Sequence, residues 1–291
     1  MRGRPSKIKS EYIYLIPALI ILFLVTIYPL IFSLYMSFHR FLTIDPYNRQ
    51  FIGLDNYIAL FSNPDFLHSF RTTLIYVFAT VTLTFFTGLG LALLLNQDIK
   101  GLSIVRPIII LPITIAPVVV GFAWKYLLDR GQGLLGAFLL PLIGISPPAI
   151  LGDPINALIA VILADVWAKT PIVLLIIIAG LQGIPQDLLK QARIDGADRL
   201  MRFRVVTLPI IRPLILVAIM MKFIDSMSAF DQIYVMTSGG PGIATMTLAV
   251  LGVRIGFQFY NLGQAVAVGI LMLIMSGIAI ALLIRYLLGE R

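Results

Sequence analysis

The chain has 291 residues, of which 59% are hydrophobic and only 12% are charged, and its mean hydropathy is +0.98. This balance excludes an ordinary soluble domain, so most residues are expected to contact lipid or to pack against other parts of the chain. Cysteine is absent, which excludes a disulfide, and the net charge of +8 is not carried by the kind of soluble basic domain that binds nucleic acid.

Runs with little or no charge predict the membrane-spanning segments, because a spanning helix needs about 20 apolar residues. Six such runs predict an all-α integral membrane protein with six transmembrane helices. The spans are predicted at residues 12–38, 72–97, 107–124, 155–183, 209–230 and 255–284. Residues 1–11 form a basic tail, and 12–291 are treated as one transmembrane domain. The first run is too long for a signal-peptide core and no small-residue cleavage site follows it.

Residues 131–152 are also uncharged, but this run is interrupted by glycines and prolines. Lipid cannot satisfy the backbone groups that such residues expose. The run is therefore interpreted as an external segment with a short helix on the membrane.

The distribution of Lys and Arg predicts the orientation, since these residues concentrate in cytoplasmic loops. With the N-terminus inside, the cytoplasmic side receives four in the tail, two at 96–106, six at 190–212 and two at the C-terminal end. The other side receives six. Both termini and the 184–209 loop are therefore expected on the cytoplasmic side of the membrane.

The stretch from Ile184 to Pro209 is rich in charge and lies between two apolar runs. Leu188–Ile194 has helical spacing, Asp195-Gly196 is a breaker, and apolar residues resume at helical spacing from Leu200 to Val206. This pattern predicts two short helices joined by a tight turn outside the bilayer. Such an element can dock in a partner's groove, whereas the alternative is a solvated loop with no partner.

Charged residues inside the predicted spans are candidates for a translocation cavity, because intramembrane charge is costly and usually faces a cavity or a partner. Asp165 and Lys169 are four residues apart and share a helix face, with Trp167 between them. They either line the outer part of a cavity or form a structural ion pair beside an interfacial tryptophan. Lys222 and Asp225 are spaced to pair as well.

Several motifs resemble those of one transporter family. In the charged stretch they are Ala192, Asp195-Gly196-Ala197, Phe203 and Leu208-Pro209, whereas Lys190-Gln191 departs from the Glu-Ala that the family usually carries. Further matches are Phe51–Tyr57, Ala164–Pro171, Ala179–Pro185 and Phe230–Pro241. The chain resembles the carbohydrate-uptake permeases of ABC importers, of the maltose and glycerol-3-phosphate type, and within them the larger maltose permease subunit.

The resemblance implies a type I importer fold, with one peripheral helix and a five-helix core. It also implies a pseudo-twofold heterodimer with a second permease, two ATP-binding subunits that hold ATP and magnesium, an extracytoplasmic solute-binding protein and a carbohydrate-like solute. The implied contacts with the ATP-binding subunits are Lys190, Gln191, Ala192, Arg193, Asp195, Gly196, Ala197, Phe203, Leu208 and Pro209. The implied solute contacts lie on the helix that follows Pro209, at Asp225, Ser228, Asp231 and Tyr234.

The chain carries no nucleotide-binding loop of its own, since none of its seven lysines follows a glycine as the GxxxxGK pattern requires. No metal or other cofactor is expected on this chain, and it is not expected to be an enzyme. Two alternatives remain open. An ion-gradient-driven secondary transporter usually shows internal repeats, and a lipid or prenyl transferase usually shows closely spaced acidic residues.

Overall fold

The computed structural model describes residues 12–97, 101–139, 142 and 148–288, so the predicted 1–11 tail lies outside the described residues. In this part of the chain five helices are long and apolar enough to cross a membrane, and a bent pair supplies a sixth crossing if its halves are counted together. The predicted mostly helical, multi-pass membrane fold is confirmed. A short β-hairpin is an addition that the sequence analysis did not predict.

The helices follow one another along the chain with short connections. They are α1 (Ile16–Ser37), α2 (Asp55–Phe61), α3 (Pro64–Leu95), α4 (Leu102–Thr114), α5 (Pro117–Leu127), α6 (Pro154–Gln182), α7 (Gln186–Ile194), α8 (Arg199–Met227), α9 (Asp231–Thr237), α10 (Leu248–Gln258) and α11 (Leu262–Leu288). The hairpin strands β1 (His39–Leu42) and β2 (Asp45–Phe51) are antiparallel, with His39 opposite Phe51 and Arg40 opposite Gln50.

Internal contacts divide the chain into two compact units, of which the first contains Met1–Ser62 and Gly252–Leu271 and the second contains the remainder. Within the first unit, the buried Asn56 joins α2 to the end of α1. Its side-chain amide donates to the carbonyl of Ser37 at 2.8 Å and to that of His39 at 3.0 Å. The first bond satisfies a carbonyl that the end of α1 leaves without a partner, and the second ties α2 to the start of β1. Asn56 in the Phe51–Tyr57 motif is therefore explained by local structure.

The core of the second unit lies where α3, α6 and α8 pack together. Its buried residues are Ala92, Leu95, Val173, Leu174, Ile177, Leu181, Ile184, Ile211, Ile215 and Ala218. A Cβ at Gly88 would meet Val173 at 2.8 Å, closer than carbon atoms approach, so α3 and α6 touch where the side chain is missing.

The predicted third span, 107–124, is wrong as a continuous helix. The chain bends by 104° between α4 and α5. Ile115 and Ala116 are extended there, and Pro117 follows. A residue before proline is disfavoured in the helical conformation, and this explains the break.

The predicted sixth span, 255–284, also begins too early. Residues up to Gln258 belong to the separate helix α10, Tyr260 has a φ of +55°, and the long helix runs from Leu262 to Leu288. The apolar-run criterion merged the end of α10 with α11 because the residues between these helices carry no charge.

The predicted second and fifth spans, 72–97 and 209–230, are displaced. Helix α3 begins at Pro64, capped by Asn63, and α8 begins at Arg199. Both helices continue into charged segments that the apolar-run criterion excluded. In the 131–152 segment the structure describes short helical turns at Leu134–Leu139 and Ile150–Gly152, and most of the residues between them lie outside its described part.

Candidate coupling element and translocation cavity

Residues 184–209, here called the turn element, form α7, a tight turn and the first turns of α8. At the end of α7, the Ala197 N–H donates to the Ala192 carbonyl at 2.9 Å and the Gly196 N–H donates to the Arg193 carbonyl at 3.2 Å. This pair of bonds is the Schellman motif, which requires a left-handed residue after the helix. Gly196 supplies it with a φ of +82°, which explains why glycine follows Asp195.

The next helix begins at a specific side-chain cap. Asp198 accepts a hydrogen bond from the Met201 N–H at 2.7 Å. An aspartate in this position satisfies one of the N–H groups that the first helical turn leaves without a partner. The sequence analysis did not assign this cap, although an Asp just before an apolar helical pattern is a recognisable start signal.

The second helix of the turn element is not short, contrary to the prediction. It continues without a break into the spanning part of α8, which runs from Arg199 to Met227. A wider π-turn covers Phe203–Thr207, where the Leu208 N–H donates to the Phe203 carbonyl. Pro209 cannot donate to the regular helical partner, and the wide turn accommodates it. Leu208 and Pro209 therefore lie inside a helix rather than after one.

Four charged side chains of α6 and α8 form a chain of ion pairs, here called the ion cluster. The Lys222 ammonium lies 2.6 Å from Asp165 and 3.3 Å from Asp225, and the Lys169 ammonium lies 2.9 Å from Asp225. The expected pairing of Lys222 with Asp225 is present. Asp165 and Lys169 do not pair with each other but each with a residue of α8.

Burial differs along the ion cluster. The side chains of Asp165 and Lys222 are 3% and 4% exposed, whereas those of Lys169 and Asp225 are 21% and 36% exposed. Removing one partner of a buried pair leaves an uncompensated charge in a medium of low polarity. The Asp165–Lys222 pair therefore holds α6 against α8, whereas the Asp225 carboxylate contacts both lysines and stays partly exposed.

Neutral polar groups tie the ion cluster to two further helices. The Lys222 ammonium donates to the Ser226 hydroxyl at 2.8 Å, and that hydroxyl lies 3.0 Å from the Thr80 hydroxyl of α3. The side-chain amide of Gln232 in α9 donates to the Val161 carbonyl of α6 at 3.2 Å. Helices α3, α6, α8 and α9 thus meet around the four charges.

A cavity of about 170 Å³ opens beside the ion cluster. It is lined by five of the sequence-predicted solute candidates, together with Pro117, Ala229, Phe230 and Gln232. The five candidates are Asp165, Lys169, Asp225, Ser228 and Asp231. Asp231 does not end the fifth span as expected but begins the separate helix α9. The structure thus brings residues from α6, α8 and α9 to one polar opening.

Two predicted candidates lie outside the lining of this cavity. Trp167 is 42% exposed on the other side of α6 and packs edge-on against Trp124 at 6.3 Å between ring centroids. Tyr234 stacks on Phe230 at 5.0 Å. Trp167 lies two residues from Asp165 and two from Lys169, and in a helix this spacing places it on the opposite face. The sequence alone therefore indicated that Trp167 would not share their face. Phe230 and Gln232 were not proposed as lining residues, and no composition signal distinguished them.

No group of three or more His, Asp or Glu among the described residues is arranged to hold a metal ion. Two of the three acidic residues in the cavity lining, Asp165 and Asp225, are instead paired with Lys222 and Lys169. This arrangement suits hydrogen bonding to a polar solute better than metal coordination.

Comparison with known proteins decides the family. Residues 84–289 match the family described as "Binding-protein-dependent transport system inner membrane component". The chain belongs to this family. It is a multi-pass permease subunit of an ABC importer, a transport component and not an enzyme.

Relatives from several organisms support the assignment to sugar-type permeases. The chain is 38% identical to the trehalose/maltose transport system permease protein MalF of Thermococcus litoralis, over 88% of this chain and 85% of that protein. It is 34% identical to the trehalose transport system permease protein SugA of Mycobacterium tuberculosis H37Rv, over 92% and 85%. It is 33% identical to the sn-glycerol-3-phosphate transport system permease protein UgpA of Pectobacterium atrosepticum, over 92% and 91%.

A solved structure shows the same fold for this permease. A chain from a bacterial ABC transporter that imports the acidic polysaccharide alginate superposes with a TM-score of 0.83. The match covers 96% of this chain and 95% of the other at 23% identity. The type I importer fold expected from the sequence is confirmed.

Proposed function

We propose that this permease forms half of the translocation pathway of an importer for a carbohydrate or polyol-type solute. Support comes from relatives that are named for trehalose, maltose and sn-glycerol-3-phosphate transport. A second permease supplies the other half of a pseudo-twofold pair. An extracytoplasmic solute-binding protein delivers the solute, and two separate subunits bind ATP and magnesium.

The proposed solute contacts are Asp225, Ser228 and Asp231. All three line the cavity beside the ion cluster. Sugar hydroxyl groups both donate and accept hydrogen bonds, and carboxylates and a hydroxyl can pair with them. Lys169 holds Asp225 in place from one side without burying it. We assign Asp165 and Lys222 to holding the helices rather than to touching the solute.

The observation that carries the proposed coupling is the continuity of α8. One helix of 29 residues joins the turn element to Lys222 and Asp225. From Phe203 to Asp225 it rises about 33 Å. When ATP binding closes the partner subunits, α7 moves with them and α8 tilts at the ion cluster, so that the cavity opens alternately to the two sides.

This mechanism places the turn element, both chain termini and the ATP-binding subunits in the cytoplasm, beneath a bacterial inner membrane. The excess of Lys and Arg on that side supports the orientation. The expected docking contacts remain those of the turn element, at Lys190–Arg193, Asp195–Ala197, Phe203, Leu208 and Pro209. The replacement of the usual Glu-Ala by Lys190-Gln191 leaves the turn geometry intact.

The proposed coupling is tested by replacing Gly196 with a residue that has a side chain. A Cβ there meets nothing within 4 Å among the described residues, and we expect an added side chain to project toward the partner. We expect Gly196→Asp and Gly196→Asn to insert normally and to lose solute-stimulated ATP hydrolysis in the assembled importer. Asparagine tolerates the left-handed conformation. A loss of coupling in Gly196→Asn would therefore come from obstruction of the docking surface rather than from backbone strain.

Gly242 provides the matched control for this test. It also has a positive φ, of +61°, and no described residue lies within 4 Å of its Cβ position. Gly242→Asn should keep uptake and hydrolysis coupled. Normal coupling in both Gly196 variants would contradict the proposed role of the turn element. The solute itself is best found by thermal-shift screening of the associated binding protein against a panel of sugars and polyols.

A further inference from the structure

A second cavity, of about 640 Å³, opens beside the turn element and is strongly basic. Four cationic side chains line it, and no carboxylate stands among the described residues of its lining. The four are Lys190, Arg193, Arg199 and Arg202. The end of α3 closes one side of this basic cavity with Asn96 and Gln97. It is separate from the cavity beside the ion cluster, whose lining shares no residue with it.

Carboxylates of the described residues neutralise these four positive charges only weakly. Lys190 pairs with Asp187 at 3.1 Å, but both side chains are more than 70% exposed. Such an exposed pair is weak because water screens it. The Arg202 guanidinium donates to the Asp198 carbonyl at 3.4 Å, and that contact adds no negative charge. A concave surface lined by charges of one sign concentrates counter-ions, and guanidinium groups match the geometry of a phosphate.

The cavity also has an apolar side. Leu93, Leu189 and Phe203 line it together with the cations. Leu93 lies where α3 ends, Leu189 lies on α7, and Phe203 lies where α8 enters its apolar part. This is the membrane boundary expected for this side of the protein. A ligand that carries both a phosphate and an apolar chain satisfies the two sides together. Basic pockets between membrane helices on the cytoplasmic side bind anionic lipid headgroups in this way.

We propose that the basic cavity binds the phosphate headgroup of an anionic phospholipid from the cytoplasmic leaflet. The assignment rests on the orientation given under the proposed function. The bound lipid would bridge α3, α7 and α8, the helices that meet at the turn element, and hold α7 in its docking position.

The helical positions of α7 separate this lipid site from the proposed ATPase contact. Gln186, Leu189, Lys190 and Arg193 recur every three or four residues and face the basic cavity. Leu188 and Gln191 lie on the opposite side of the helix and are exposed. The lipid proposal therefore moves Lys190, Arg193 and Phe203 from the docking contacts to the lipid site. Gln191, Ala192 and the turn at 195–197 remain as the contacts proposed for the ATP-binding subunit.

Lipid retention by the full-length purified chain tests the proposal. The chain in detergent is titrated with phosphatidylglycerol or phosphatidylcholine, and native mass spectrometry counts the bound lipid. One phosphatidylglycerol should be retained in preference to phosphatidylcholine. Arg199→Gln should weaken its binding about fivefold, and Arg193→Gln/Arg199→Gln/Arg202→Gln about 100-fold.

Arg204→Gln is the matched control, because Arg204 lies two residues from Arg202, is exposed, and is not in the lining of the cavity. It should bind phosphatidylglycerol as the unchanged chain does. Inorganic phosphate at the same concentration should not displace the lipid.

Three results would overturn the proposal: equal retention of the two lipids, equal weakening by Arg199→Gln and Arg204→Gln, or displacement by equimolar phosphate. The last would assign the cavity to a free anion. Because the measurement needs no ATP-binding subunit, its failure leaves the coupling mechanism standing, and loss of coupling in the Gly196 variants leaves lipid binding standing.

Discussion

The turn element and the ion cluster concentrate charge in different ways, at opposite ends of the same helix. In the turn element the paired side chains of Asp187 and Lys190 are 84% and 72% exposed, whereas Asp165 and Lys222 in the ion cluster are almost fully buried. Exposed charges contribute little to the stability of the chain and stay available to a partner. A buried charge that loses its partner destabilises the chain strongly. One region is therefore built for contact and the other for holding helices together.

The largest expected effect comes from unpairing the buried end of the ion cluster. Lys222→Met leaves the Asp165 carboxylate buried without a cation and should destabilise the chain by about 3–5 kcal/mol. The temperature at which the purified chain loses its monodisperse state in detergent measures this loss. The double variant Asp165→Leu/Lys222→Met removes both charges and should recover most of the stability. A single variant as stable as the unchanged chain would show that the pair does not hold α6 to α8.

A smaller effect is expected at the exposed end of the ion cluster. Asp225→Asn leaves Lys169 without its carboxylate, but water reaches both groups, so the loss of stability should be about 1 kcal/mol. The variant should nevertheless raise the solute concentration needed for half-maximal uptake by the reconstituted importer. Asp187→Asn, a change to an exposed carboxylate of the turn element, is the control and should leave that concentration unchanged. An unaltered uptake curve for Asp225→Asn would remove it from the proposed solute contacts.

The last prediction compares two aspartates within the turn element itself and affects stability alone. Asp198→Ala deletes the cap on the Met201 N–H and should cost about 1 kcal/mol. Asp187→Ala removes a similar charge that caps no backbone group in the described structure, and it should change stability by less than about 0.5 kcal/mol. Equal effects in a thermal unfolding comparison would mean that charge, rather than capping, stabilises the start of α8.

The sequence predicted the fold class and the turn of the turn element well, because apolar runs and the Asp195-Gly196 breaker are local signals. It placed the ends of spans poorly. Helices α3 and α8 extend past the apolar region, and hydropathy does not report where a backbone hydrogen-bond pattern ends. The break before Pro117 was also missed, although a proline inside an apolar run is a known warning of a bend.

The candidate cavity was predicted in part. The sequence identified Asp165, Lys169 and Asp225 as intramembrane charges, but spacing along one helix cannot show which partner on another helix each charge will meet. The cross-pairing of Asp165 with Lys222 depends on how α6 and α8 pack, which is tertiary information. Phe230 and Gln232 joined the lining because the chain ends α8 at Met227 and begins α9 at Asp231.

The measurement that tests the central claim most directly compares transport by the permease with and without its ATP-binding subunits. The complete importer and the purified chain alone are reconstituted in vesicles, and uptake of the solute against its gradient is followed with and without ATP, and with an imposed ion gradient. The account predicts uphill uptake only in the complete importer with ATP. Uphill uptake by the chain alone, driven by an ion gradient, would contradict it.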